Sequence, residues 1–226
     1  MKRDVRAVLF DWDGTLVDTA EPAYRSYVRM FADFGVYFDR AIYARTYSPA
    51  WEHTYRCVNL PEEHWREADR RWLGYFDEER TAPLVAGAAE ALDRLAEKNV
   101  ACGIVTSGTR SRIVRELAAH GVDRRFIHVV CGDDGPRRKP DPEALRVCLD
   151  RLGVAPKDAA YIGDSAEDVM MAHAAGVFCV GVRGTYPNHD SLVAASPDYV
   201  ALSLSDAVDH VVNGPHRRER DSSGGA

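Results

Sequence analysis

The sequence predicts an α/β fold: a parallel sheet with helices on both faces, interrupted early by a helical insertion. Three observations carry that expectation. Short β-branched runs recur along the chain, and segments with helical spacing of apolar residues lie between them and stop at glycines. One stretch, residues 20–83, breaks this rhythm, with no strand-like run and many aromatics.

The strand-like runs are residues 5–10, 100–106, 126–131, 159–162 and 177–182. Each is short and continuously apolar, as strands buried on both faces are. Residues 88–98 carry Leu92, Leu95 and Ala96 on one helical face, with Gly87 ahead of them. Residues 110–120 carry Ile113, Val114 and Leu117 and end at Gly121. Residues 142–152 open with Asp141 as N-cap and Pro142 at the first helical position, then close at Gly153. Residues 166–175 end at Gly176. Strand–helix units of this length build a parallel sheet covered on both sides. Within the insertion, Tyr24, Tyr27, Val28, Phe31 and Phe34 follow helical spacing, as do Trp65, Ala68, Trp72 and Phe76. These aromatics are first of all packing groups for a small helical bundle. The expected organisation is therefore a core of residues 1–19 and 84–213, an inserted helical unit of 20–83, and a disordered tail of 214–226 poor in apolar residues.

Composition removes several function classes. The chain has 226 residues and a formal net charge of -6, which gives no support to binding a nucleic-acid backbone. Any anionic substrate must therefore meet positive charge gathered locally. The five cysteines, at 57, 102, 131, 148 and 179, form no Cys-x-x-Cys pair and sit mostly in apolar runs. That pattern argues against disulfides and zinc and for a reducing compartment. The apolar run after Lys2-Arg3-Asp4 is too short for a signal peptide, and nothing elsewhere approaches a membrane span. The expectation is a cytoplasmic protein with no membrane partner, either a monomer or a homodimer.

The chemistry-bearing residues fall where the predicted strands end. The first strand runs into Asp11-Trp12-Asp13-Gly14-Thr15. In an open parallel sheet the ligand crevice lies at the carboxyl ends of the strands, so both carboxylates face it. Two carboxylates that close share a cation or a proton. Either arrangement suits phosphoryl transfer, one oxygen attacking phosphorus while a second carboxylic acid protonates the leaving oxygen. A plain Asp-Gly turn is the alternative. After the second strand come Thr106-Ser107-Gly108, hydroxyl and backbone donors at a strand-to-helix junction where an anion is favoured. Lys139, flanked by Arg137-Arg138 and Pro140-Asp141-Pro142, stands between a loop and a helix start as a point charge for phosphate. Gly163-Asp164-Ser165-Ala166-Glu167-Asp168 follows the fourth strand. Asp164 and Asp168, one helical turn apart, would offer two hard oxygen ligands suited to Mg²⁺.

Taken together, these segments resemble the haloacid dehalogenase-like hydrolase superfamily, in its phosphoglycolate phosphatase-like branch with a helical cap. Asp11-x-Asp13-Gly14-Thr15 followed by Leu16-Val17-Asp18-Thr19, and Gly163-Asp164-x-x-x-Asp168, carry the resemblance in order and spacing. It implies a Rossmann-like core and Mg²⁺-dependent hydrolysis of a small phosphorylated metabolite through an aspartyl phosphate. By the same resemblance Asp11 is the nucleophile, and Asp13 protonates the leaving group and later activates water. Thr106, Ser107, Gly108 and Lys139 hold the phosphoryl group. Asp11, the Asp13 carbonyl and Asp164 bind the metal, with Asp168 supporting or joining them. Residues 20–83 become a mobile cap that selects the leaving group, with Arg45, Thr46, Tyr47 and Trp51 as candidates for substrate contact.

Absences narrow the expectation. Residues 4–97 contain no Lys, which disfavours a phosphonoacetaldehyde hydrolase and its Schiff base. Asp13 argues against a dehalogenase, whose leaving group needs no proton. Ala20-Glu21-Pro22-Ala23 lacks the His of related sugar phosphomutases, which stay an alternative, as does a catalytically weak binding or regulatory member. What remains resembles phosphoglycolate phosphatase and pyrophosphatase- or nucleotidase-like relatives, with a slight lean to a small anionic phosphomonoester.

Overall fold

The computed structural model describes residues 4–48, 51–79 and 81–214. Its sheet contains β1 (Ala7–Phe10), β2 (Ala101–Val105), β3 (His128–Val130), β4 (Ala159–Gly163), β5 (Phe178–Val182) and β6 (Tyr199–Ala201). All neighbours are parallel, in the order β3-β2-β1-β4-β5-β6. The chain winds outward from β1 to β3, then crosses back and continues from β4 on the other side. That reversal places a topological switch point between β1 and β4, where open α/β sheets bind ligands. Phe10 pairs with both Ile104 and Ile162, so Asp11, Thr106 and Asp164 leave the sheet within a residue or two of one level.

The alternation of β1 shows how the sheet is clamped. Val8 and Phe10 point into one apolar cluster with α5 (Ala88–Glu97), α6 (Arg110–His120) and α10 (Leu204–Asn213). Ala7 and Leu9 point into the other, with α7 (Glu143–Leu152), α8 (Ala166–Ala175) and α9 (His189–Ala194). All four β1 side chains are fully buried. Burying one residue such as Phe10 contributes roughly 2–3 kcal/mol relative to exposure.

Five expected strand runs become β1 to β5 with ends moved by a residue or two, while β6, α9 and α10 lie in a region where no element was expected. One helix start is corrected. Pro142 is the N-cap of α7 rather than its first residue, because Asp141 Oδ1 accepts from the Glu143 amide at 3.0 Å and regular helical bonding begins after it. All five cysteines are free, and only Cys57 is exposed. No helix among the described residues is long and apolar enough to cross a membrane. Residues 215–226, nearly all of the expected tail, lie outside the described residues.

Between β1 and β2 the chain forms α1 (Ala20–Asp33), α2 (Arg40–Thr46), α3 (Trp51–Cys57) and α4 (Trp65–Glu78). These helices close on their own cluster, built around Tyr27, Met30, Phe31, Phe38 and Tyr55. The passages out and back are adjacent: Asp18 donates to the Pro83 carbonyl at 2.9 Å, and Val85 donates to the Leu16 carbonyl at 3.0 Å.

Candidate active site

The structure gathers the sequence-expected residues at the carboxyl ends of the central strands. Asp11 follows β1 directly, buried, with its amide bonded to the Ile162 carbonyl at 2.9 Å. Lys139 reaches in from the loop before α7, donating to Asp11 Oδ1 at 2.6 Å and to Asp168 Oδ1 at 2.7 Å. Its ammonium is buried, and the attraction of Asp11 and Asp168 outweighs the cost of burial and raises its pKa. Thr106 directly follows β2, and its Oγ1 accepts from the Gly108 amide at 3.1 Å, so its hydroxyl proton points elsewhere. Gly108 lies at the entrance to α6, while Ser107 beside it is exposed.

Asp164 and Asp168 do not occupy one helical turn as expected. Ser165 is the N-cap of α8, so Asp164 lies in the bend between β4 and the helix while Asp168 is the third helical residue. Asp168 completes a capping box, its Oδ2 accepting from the Ser165 amide at 3.1 Å and hydroxyl at 2.7 Å. Its Oδ1 accepts from Lys139 and lies 3.0 Å from the Tyr161 hydroxyl, so both oxygens are engaged. Asp164 is the opposite case. Its Oδ2 is buried with no hydrogen-bond partner among the described residues. Two glycines crowd that atom: a Cβ on Gly14, whose φ is +82°, would lie 2.5 Å from it, and a Cβ on Gly184 would overlap it too. Asp11, Asp164 and Asp168 each offer an oxygen within 4.8 Å of the others.

A buried carboxylate oxygen left bare is costly unless a cation or proton joins it. Burial, opposed by Lys139 and reinforced by Asp168 and Asp13, lifts Asp11 to about 7. Burial with Asp11 and Asp168 lifts Asp164 well above the carboxylate range. A hard divalent cation beside Asp164 and Asp11 would relieve both, so the residues present fit Mg²⁺.

Sequence reasoning missed the partner of Asp13. Arg112 of α6, 3% exposed, donates to Asp13 Oδ1 at 2.9 Å and Oδ2 at 2.5 Å. Behind it, Glu116 accepts from Arg112 at 3.1 and 3.3 Å and from the Trp12 indole at 2.6 Å. Burial opposes the guanidinium charge, but Asp13 and Glu116 outweigh it and raise the pKa. An i,i+4 Arg–Glu pair beside the apolar stripe of Ile113 and Leu117 was the available signal. Two loop residues were also missed. Asn188 donates to the Asp164 carbonyl at 3.0 Å, and Tyr186 lies 3.1 Å from the Thr19 hydroxyl while stacking on Tyr47. Nothing local in the sequence distinguishes them from other loop side chains.

Above these groups lies a cavity of about 460 Å³. Its floor is Asp11, Asp13, Thr106, Lys139 and Asp164, and its roof comes from the helical insertion. Of the four insertion residues expected to contact substrate, Tyr47 and Trp51 line it, whereas Arg45 and Thr46 do not.

A parallel sheet with clustered aspartates at its switch point, a buried lysine and a helical roof makes a site suited to a phosphorylated ligand. Residues 8–182 match the model of the haloacid dehalogenase-like hydrolase family, and the chain belongs to that family. It is a phosphoric monoester hydrolase within it. It is 34% identical to a pyrophosphatase, PpaX, of Bacillus velezensis, over 90% of this chain and 95% of that one. It is 30% identical to a validoxylamine A 7'-phosphate phosphatase of Streptomyces hygroscopicus subsp. limoneus, over 89% and 95%. Its fold is shared with the crystal structure of a predicted phosphoglycolate phosphatase of Haemophilus somnus, with a TM-score of 0.78 at 22% identity over 91% and 97% of the two chains.

Proposed function

We propose that the protein hydrolyses a small phosphomonoester through an aspartyl phosphate formed on Asp11, with Mg²⁺ as cofactor. The observation that carries this reading is the pairing of Asp11, fixed by Lys139 at 2.6 Å, with the buried, unpartnered Oδ2 of Asp164. Asp11, Asp164 and the main-chain carbonyl of Asp13 would hold the ion, which supplies positive charge to the phosphoryl oxygens when bound. Asp168, with both oxygens engaged, would orient Lys139 and support that shell, its oxygen within 4.8 Å of those of Asp11 and Asp164.

In this reading Thr106, the Ser107–Gly108 backbone and Lys139 seat the phosphoryl group in line with Asp11. An Asp11 oxygen attacks phosphorus, and the bond to the leaving oxygen breaks as that oxygen takes a proton from Asp13. Asp13 then takes a proton from water, whose oxygen attacks phosphorus and frees both phosphate and Asp11. Arg112 holds both Asp13 oxygens, so one of those bonds must be exchanged, and the freed oxygen must take up a proton from solvent, before Asp13 can donate to the leaving group. The insertion acts as a lid that excludes water and meets the leaving group.

The test is phosphate release from a panel of phosphomonoesters with Mg²⁺, with EDTA, and in Asp11→Asn. Turnover that needs Mg²⁺ and vanishes in the variant supports the proposal. Turnover that persists in EDTA, or in Asp11→Asn, overturns it.

A further inference from the structure

The cavity lining carries more carboxylates than cations on its floor and on its insertion wall. The lysine and arginine closest to the reacting aspartates are already committed, Lys139 to Asp11 and Asp168, and Arg112 to Asp13 and Glu116. Of the other lining residues, only Arg138 is basic. The wall contributed by the insertion carries Glu52, Asp69 and Asp77 and no basic residue among those described. None of these three side chains makes a hydrogen bond or salt bridge among the described residues, although Arg138 attracts Asp69 and Glu52 repels it. Five arginines of the insertion pair instead away from this wall, Arg25 with Glu79, Arg29 with Glu78, Arg40 with Glu21, Arg70 with Glu67 and Arg71 with Asp33.

The same wall is aromatic. Tyr47 stacks on Tyr186 at 5.0 Å, and Trp72 stacks on Phe76 at 4.8 Å, with Trp51 beside them. Trp72 adds an indole N–H that is buried without an acceptor among the described residues. Flat aromatic faces take the C–H faces of a ring, and they also attract cations. Carboxylates accept hydrogen bonds from hydroxyls and ammonium groups, and they repel anions. A second phosphate or a carboxylate on the leaving group would meet three carboxylates on this wall, with Arg138 opposite Asp69 as the one cation of the lining not paired with a carboxylate among the described residues.

Resting on the phosphatase reading above, we infer that the leaving group is a polyhydroxylated ring bearing an amino group, an amino-sugar or aminocyclitol phosphate rather than a small anionic ester. Glu52 and Asp69 would then be specificity-determining residues, and the lean to a small anionic ester drawn from the sequence gives way.

The experiment compares kcat/KM, with Mg²⁺ present, for glucosamine 6-phosphate, glucose 6-phosphate, 2-phosphoglycolate and pyrophosphate. p-Nitrophenyl phosphate serves as the check on the chemistry itself. Glucosamine 6-phosphate is expected to exceed 2-phosphoglycolate and pyrophosphate by at least about tenfold, and to exceed glucose 6-phosphate as well. In the double variant Glu52→Gln/Asp69→Asn, shown folded by its melting curve, the glucosamine-to-glucose ratio is expected to fall toward one. An anionic substrate matching the amino sugar overturns the inference, and so does a ratio unchanged by the double variant. Failure to cleave p-nitrophenyl phosphate would instead sink the phosphatase reading beneath it.

Discussion

Arg112 shows how one side chain ties reactivity to stability. Its fork on Asp13 is a charge-assisted bidentate pair, and Glu116 and Trp12 complete the set behind it. Replacing Arg112 with Met leaves two carboxylates facing each other in a buried space. Chemical denaturation of Arg112→Met should show a loss of about 3–5 kcal/mol, the range for breaking a buried ion pair from one side. Turnover should fall by at least about tenfold because Asp13 loses its orientation. Asp11 gives a prediction in pH. Its carboxyl releases a proton near 3.8 when unfolded and near 7 in the folded, metal-free protein. Between those values folding takes up a proton, so the stability associated with Asp11 is complete below the lower value and is lost as pH rises through the upper one. Mg²⁺ competes with that proton. The rise in Tm produced by Mg²⁺ should therefore grow between about pH 5 and pH 7.5, and Asp11→Asn should flatten the dependence. A shift that is equal at both pH values would count against a cation shared by Asp11.

At the scale of elements, the turn after β1 and the start of α8 act together on Asp164. Gly14 is needed twice, for its φ of +82° and because a Cβ there would sit 2.5 Å from Asp164 Oδ2. Gly14→Ala should destabilise the fold by about 1–2 kcal/mol and weaken Mg²⁺ activation by at least about tenfold, read from the metal concentration giving half-maximal turnover. Ser165→Ala removes one capping bond and should cost about 1 kcal/mol. Because Ser165 also holds Asp168, and Asp168 holds Lys139, the variant should lose turnover beyond what its melting temperature explains. The sequence was readable wherever one local rule decided the outcome. Residues 110–120 and 166–175 were read to the residue, because apolar spacing and a terminal glycine agree there. The start of α7 was not, because Pro142 and Asp141 offer two competing caps. The separation of Asp164 and Asp168 reads as one helical turn because i,i+4 spacing cannot reveal that Ser165, between them, is the N-cap. Strand β6 escaped notice because three residues at a sheet edge leave too short a pattern. Arg112, Tyr186 and Asn188 meet the site only through tertiary packing, which spacing along the chain does not encode.

For the whole molecule, the sheet concentrates burial beneath the candidate site. β1 lies between β2 and β4 and buries every side chain, whereas β6 is an edge strand with Val200 exposed. Amide hydrogen exchange should be slowest in β1 and β4, faster in β6, and faster still in the exposed outer turns of the insertion. Protection of β6 equal to that of β1 would contradict this gradient. The two adjacent passages between core and insertion, Leu16–Val85 and Asp18–Pro83, are each held by one backbone bond. Because the backbone enters and leaves the insertion through one narrow gate, the helices beyond it behave as a detachable fitting on a fixed tool. A different helical module closing between those same two points would inherit Asp11, Asp13 and Asp164 unaltered and bring only a new grip.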